Sequence, residues 1–182
     1  MKRLSLYSGG EKNQGNFDRS EEETLMTESC CKITQEPKKI PPCPANGVRG
    51  RRVETRTLLY LLKGKFLKEL SPNETYYFCS VPDCDVVYYS GNSHVFKKDQ
   101  IRIPVGQKEK ENPQVCYCFN FFVSDLREEM EATGKATIPD FIRQKVKEEA
   151  CSCEILNPQG ACCLGNVSQA VKRIEKERLK RR

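Results

Sequence analysis

Eleven of the 182 residues are cysteine, and nine of these lie between Cys43 and Cys163. They stand as Cys43, Cys79-X4-Cys84, Cys116-X-Cys118, Cys151-X-Cys153 and Cys162-Cys163, close to turn-forming Gly, Pro and Asn residues. Thiols so placed can converge from separate segments. Four soft ligands in tetrahedral array suit zinc or an iron–sulfur centre, and nine thiols with the one histidine, His94, suffice for two such centres. A lone buried cysteine packs as a small hydrophobe; nine in close groups read as ligands. A disulfide framework belongs to secreted chains, and the N-terminus, MKRLSLYSGGEKNQ, has no apolar h-region to direct secretion. Two further thiols, Cys30-Cys31, sit in a polar N-terminal stretch, and vicinal thiols suit Cu(I), a soft cation. His94 follows Gly91-Asn92-Ser93 and reads as a surface turn residue.

Other chemistries find little support. A single histidine leaves no Ser-His or Cys-His constellation outside His94, and no Gly-rich phosphate loop is present. Substrate turnover is therefore not expected. No apolar run approaches the roughly 20 residues of a membrane span, so a cytoplasmic protein with reduced thiols is expected. The chain is 31% charged and 37% hydrophobic and has no Trp. Each ordered half is then a size at which a bound metal commonly supplies stability that the core lacks. The last 17 residues hold seven basic and two acidic side chains, most of the formal +6. That concentration reads as a solvated helix end complementing the macrodipole. A nucleic-acid binder would spread its charge over a folded face. The alternative reading is a zinc-stabilised interaction module that docks this basic end on an acidic protein or nucleic acid.

The elements that must position the thiols follow from the patterning. Residues 1–40 are polar and without period, a disordered tail. Helical spacing runs from Val53 to Leu70, weakened at Gly64. Tyr76–Cys79 and Cys84–Tyr89 read as strands joined by Val81-Pro82-Asp83, with short strands near Phe96 and over Ile101–Val105. The aromatic run Tyr76, Tyr77, Phe78, Tyr88 and Tyr89 reads as core. Gly106–Pro113 is a charged linker. Beyond it the chain looks helical: one helix from Ser124-Asp125 to Gly134 with a capping box, and one from Thr137-Ile138-Pro139-Asp140 presenting Ile138, Phe141, Ile142 and Val146 on one face. The last helix, after Gly165-Asn166, turns Val167, Val171 and Ile174 inward. The expected fold is α+β: a small zinc-bearing α/β-hairpin domain over 41–108, then a small all-α domain over 109–182.

Cys116-X-Cys118 followed about 32 residues later by further cysteines beside helix starts resembles the bacterioferritin-associated-ferredoxin type of 2Fe–2S domain. Taken together, Cys43-Pro-Ala-Asn-Gly, Tyr77-Phe-Cys-Ser-Val-Pro-Asp-Cys-Asp-Val-Val-Tyr, Val115-Cys-Tyr-Cys-Phe and Cys151-Ser-Cys-Glu-Ile-Leu-Asn-Pro-Gln-Gly-Ala-Cys-Cys-Leu-Gly resemble the N-terminal zinc and 2Fe–2S region of CopZ-type copper chaperones. The resemblance runs from about Cys43 to Val167. It implies zinc on Cys43, Cys79 and Cys84, with the fourth ligand unassigned because Asn46 stands where some relatives have cysteine. Cys151, Cys162, Asp85, a tail thiol or water are the options. It implies a 2Fe–2S cluster on Cys116, Cys118, Cys153 and Cys163, with Cys151 and Cys162 as alternates. The implied role is intracellular copper handling, one suggested form of which is reduction of Cu(II) to Cu(I). The family's Met-X-Cys-X-X-Cys heavy-metal-associated domain has no counterpart in this sequence, which contains no Cys-X-X-Cys. A copper-handling partner or a separate such domain is therefore implied, together with an electron donor.

Overall fold

The computed structural model describes residues 40–181. The expected tail over 1–40 and the Cys30-Cys31 pair lie outside them, Ile40 apart. The described residues belong to one compact unit of mixed helix and antiparallel sheet, an α+β fold.

Four antiparallel strands lie in the order β1 (Arg51–Val53), β2 (Tyr76–Phe78), β3 (Val86–Ser90) and β4 (Val95–Lys97). The aromatic residues earn their place here through the two-residue period of a strand. Tyr76, Phe78 and Tyr88 face a core with Leu58, Leu61, Leu62 and Phe96. Tyr77 and Tyr89 face the other way, with Val86, Cys79, Cys84 and Cys43. One sheet thus carries an apolar core on one side and the first group of thiols on the other. Near the turn that follows β3, the His94 ring packs 4.8 Å from Phe96 rather than standing free.

The helix expected over Val53–Leu70 is shorter. α1 spans Thr55–Leu61 and stops because Leu62 turns extended and bridges Ile101. The Arg102 guanidinium donates to the freed Leu62 carbonyl at 2.8 Å. A 3-10 stretch, Gly64–Glu69, follows. The same bridge is all that forms of the strand expected over Ile101–Val105; Pro104, with no N–H, cannot extend a ladder. β1 has no counterpart in the sequence reading, being three residues long and partly charged.

The second half is not all-α. β5 (Gln114–Cys116) pairs with β6 (Phe121–Phe122), so the Cys116-X-Cys118 motif sits in a tight hairpin. α2 (Val123–Thr133) begins before Ser124, because Asp125 reaches back to accept the Phe122 N–H at 2.7 Å and does not act as the N-cap itself. α3 (Ile138–Lys147) starts where expected, and the Glu129 carboxylate of α2 accepts the Thr137 and Ile138 N–H groups at 2.8 and 3.2 Å. Phe141 does not join the core: it is half-exposed, edge-on to Phe119 and Phe121. α4 is a single turn, Cys153–Leu156. α5 (Leu164–Lys180) begins at Cys163 because Val167 N–H already bonds the Cys163 carbonyl, at 3.0 Å, so Gly165-Asn166 lie inside its first turn. Cys163, Val167, Ala170 and Ile174 form its buried stripe.

The expected charged linker is partly structural. Gly106–Lys108 is a 3-10 turn and Lys108 is only 5% exposed. The halves also meet elsewhere: Thr57 donates to the Glu154 carbonyl at 2.5 Å and Tyr88, fully buried, to the Pro158 carbonyl at 2.8 Å. A Cβ on Gly106 would lie 2.0 Å from the Gln114 carbonyl oxygen, whereas one on Gly64 meets nothing within 4 Å. Gly106→Ala is therefore expected to destabilise the protein by roughly 1–3 kcal/mol and Gly64→Ala by no more than about 0.5 kcal/mol, read from urea unfolding of each.

Candidate metal centres

Cys43 opens a tight turn. Its carbonyl accepts Gly47 N–H at 2.8 Å, its own N–H donates to Val48 O at 2.9 Å, and Asn46 Oδ1 takes the Val48 N–H at 2.9 Å. Tyr89 pins the flanks of this turn to the sheet: its hydroxyl donates to the Pro41 carbonyl at 2.9 Å and accepts the Gly50 N–H at 2.6 Å. Cys79 ends β2 and Cys84 closes the following loop, its N–H on the Val81 carbonyl at 3.2 Å. Three buried thiols result, their sulfurs all within 4.8 Å of one another. Ligands of one tetrahedral zinc stand about 3.7 Å apart, given a Zn–S bond near 2.3 Å, so the trio needs only a small contraction to close on an ion.

The surroundings of Cys79 favour its thiolate. Asn46 Nδ2 donates to Cys79 Sγ at 3.2 Å. Lys108 Nζ donates to the carbonyls of Val81 and Cys84, both at 2.9 Å. Burial alone would raise the Cys79 pKa, but the Asn46 donor, the Val81 N–H and the Lys108 charge together pull it below the usual thiol value. Its partner Cys43, mainly through burial, is pushed up to about 11. Burial likewise lowers the Lys108 pKa, against the pull of the three thiols. A donor set of three thiols with a hydrogen-bonded thiolate fits zinc with one position left over. Among the described residues no fourth His, Cys, Asp or Glu joins the trio. The Asp85 side chain is 59% exposed and faces Lys98, 3.9 Å away.

The second set is an extended row of four thiols, Cys116, Cys163, Cys153 and Cys118, each in contact with the next. Cys116 ends β5 and its sulfur lies 3.1 Å from that of Cys163, the residue that caps α5. Cys118, in the hairpin loop, lies 3.6 Å from Cys153 at the start of α4, and accepts the Ser152 N–H at 3.4 Å. No three of these four have sulfurs mutually within 4.8 Å, so they form no compact trio like the first. Sharing hydrogens within each pair drives the partners apart: contact with Cys163 lowers the Cys116 pKa, contact with Cys118 lowers that of Cys153, and both partners are raised. Cys151 is half-buried and Cys162 exposed.

A short strap joins the two sets. The Gly106 N–H donates to the Tyr117 hydroxyl at 2.6 Å, and Tyr117 is the residue between Cys116 and Cys118. Two positions later Lys108 holds the Cys79–Cys84 loop. The sequence brings out the cysteines but not these two supporting side chains: Lys108 belongs to the run Lys-Glu-Lys-Glu and nothing in its type or spacing separates it from Lys110, which is exposed. The close approach at Gly106 is the one signal beside it.

The profile of the CopZ zinc-binding family, described as a zinc binding domain, matches residues 40–102. The copper chaperone CopZ of Archaeoglobus fulgidus is 31% identical over 144 residues, which cover 73% of this chain and 68% of the relative. The chain belongs to the CopZ family. The crystal structure of the Archaeoglobus fulgidus CopZ N-terminal domain superposes with a TM-score of 0.59 at 29% identity, covering 70% of this chain and 95% of that domain. The thiol trio falls within the matched zinc-binding segment, and the likeness to the CopZ domain extends beyond it in both sequence and fold.

Burial sets an order of reactivity. In metal-free protein under native conditions, a bulky maleimide should label Cys162 first among the described cysteines and Cys116 and Cys163 last, as read by mass spectrometry of timed samples. Early labelling of Cys116 would contradict the paired, buried arrangement.

Proposed function

We propose that this chain is a metal-handling protein of the copper-chaperone type, with zinc held by Cys43, Cys79 and Cys84 and a 2Fe–2S cluster held by Cys116, Cys118, Cys153 and Cys163. The observation that carries this reading is the division of the buried thiols into a compact trio and an extended row of four, with Cys116–Cys163 at 3.1 Å, Cys118–Cys153 at 3.6 Å and Cys153 in contact with Cys163. A trio suits one ion. An extended row of four thiols is too long for one ion and suits a two-iron cluster. Burial and pairing favour Cys153 and Cys163 over Cys151 and Cys162 as ligands. The second half, over 109–182, has the helix-end placement of ligands expected of a ferredoxin-like domain of the bacterioferritin-associated kind, with a hairpin added. Cys163 at the N-terminus of the 17-residue α5 has a helix dipole to offset thiolate charge.

When bound, a 2Fe–2S group supplies one-electron chemistry, of which reduction of Cu(II) to Cu(I) is an instance. The protein's own residues contribute a hairpin and two helix starts that hold four thiols together, and a buried surround that limits water. The similarity to a relative named a copper chaperone supports copper as the cargo. Partners are then a copper-handling protein or a heavy-metal-associated domain, and an electron donor, in a reducing cytoplasm. No described helix is long and apolar enough to cross a membrane.

Single substitutions separate the two sites. Cys118→Ala should bleach the protein and remove iron and sulfide while leaving about one zinc per chain. Cys79→Ser should remove zinc and keep the colour. Metal analysis with visible spectra reads both. Loss of both metals in either variant would contradict the two-site division, and a colourless wild type holding zinc alone would favour a zinc-stabilised interaction module with its exposed basic end on α5.

A further inference from the structure

The trio has three thiols where a closed structural zinc site has four ligands. Asn46 does not supply the fourth. Its Oδ1 is taken by the Val48 N–H and its Nδ2 points at Cys79 Sγ. No other described His, Cys, Asp or Glu reaches the group. What the protein does place there is Lys108, 5% exposed, with both of its hydrogen bonds going to the carbonyls of the Cys79–Cys84 loop. It makes no ion pair with a carboxylate: the described ion pairs of the neighbourhood are Lys98–Asp85 and Lys110–Asp83. An ammonium buried without a carboxylate is costly unless other negative charge stands close.

We infer that Lys108 is the charge partner of the three-thiol site, and that it makes a three-thiolate centre with a divalent ion and a neutral fourth ligand electrically balanced. Three thiolates around a divalent ion carry one formal negative charge, and the ammonium cancels it. A fourth thiolate would restore an uncompensated charge in a buried place, and the side chain that the Cys43 turn sets against Cys79 is the neutral Asn46. Lys108 is a positioning residue, since it holds the loop that bears two of the thiols and touches no metal.

The inference rests on the trio being the zinc site, and one experiment distinguishes the failure of each. Full-length protein is loaded with zinc alone and titrated with a chromophoric chelator, for wild type, Cys79→Ser, Lys108→Met, Lys108→Gln and Lys108→Arg. Wild type that takes up no zinc at the trio, or Cys79→Ser that keeps it, overturns the zinc reading and this inference with it. Given zinc at the trio, Lys108→Met and Lys108→Gln should each bind roughly 10- to 100-fold more weakly, while Lys108→Arg, which keeps the cation, stays within a few-fold of wild type. Gln retains a neutral donor for the loop carbonyls, so wild-type affinity in Lys108→Gln would reduce Lys108 to a loop holder and overturn the charge role. Equal affinity in all variants, or equal loss in all three, also overturns it. Should the neutral variants fail to fold, Lys108→Arg decides: zinc affinity within a few-fold of wild type supports the inference, and a loss beyond about 10-fold overturns it.

Discussion

Lys108 puts an ammonium group where water scarcely reaches, against the carbonyls of Val81 and Cys84, and a cation so placed requires negative charge within a few ångströms. The loop it holds carries two of the three clustered thiols, Cys79 and Cys84. Much of the first half is arranged around that cluster. The loop from Cys79 to Cys84 must close, the Cys43 turn must be held by Tyr89, and β2 and β3 must present Tyr77 and Tyr89 on the side opposite the apolar core. The same lysine fixes the segment that leads into the second half. Gly106, two residues before it, leaves room for the close approach of Gln114 and bonds the tyrosine of the Cys116-Tyr-Cys118 hairpin.

The second half solves a different problem with similar parts. Four thiols meet from two distant stretches of chain, and Cys116 and Cys163 are part of the second core, beside Val115, Leu126, Ile142 and Val167. The hairpin presents Cys116 and Cys118, and the loop between α3 and α5 brings Cys153 and Cys163 to them. That loop is itself laid on α1 and the sheet through the Thr57 and Tyr88 hydroxyls, with Asn157 buried beneath it. The first half therefore braces the ligand-bearing loops of the second. A lean composition, with no Trp and 31% charged residues, is compatible with a stable fold on these terms.

Much of this was legible in residue type and spacing. Cysteine groups beside turns and the aromatic strands pointed to the first sheet and to Cys43, Cys79 and Cys84 as a group, but the aromatic run reads wholly as core, and only the register of β2 and β3 turns Tyr77 and Tyr89 to the thiol side. Capping chemistry gave the start of α3 at Thr137. What escaped is non-local. Leu62 fits a helical pattern as well as its neighbours do, and only its bridge to Ile101 ends α1. The strand pair β5–β6 is short enough that the hairpin is made by pairing rather than by propensity. Asp125 looks like an N-cap in sequence but serves Phe122 from inside the first turn. Lys108 carries no mark of its burial, because a lysine in a charged run is ordinarily solvated.

The claim at the centre is that two chemically distinct thiolate centres share one chain. Purification without oxygen, followed by iron, zinc and acid-labile sulfide analysis with visible and dithionite-reduced EPR spectra, tests it most directly. The account predicts a coloured protein with about two iron, two sulfide and one zinc per chain and a signal that appears on reduction. A colourless protein with zinc alone, or iron without zinc, would contradict it.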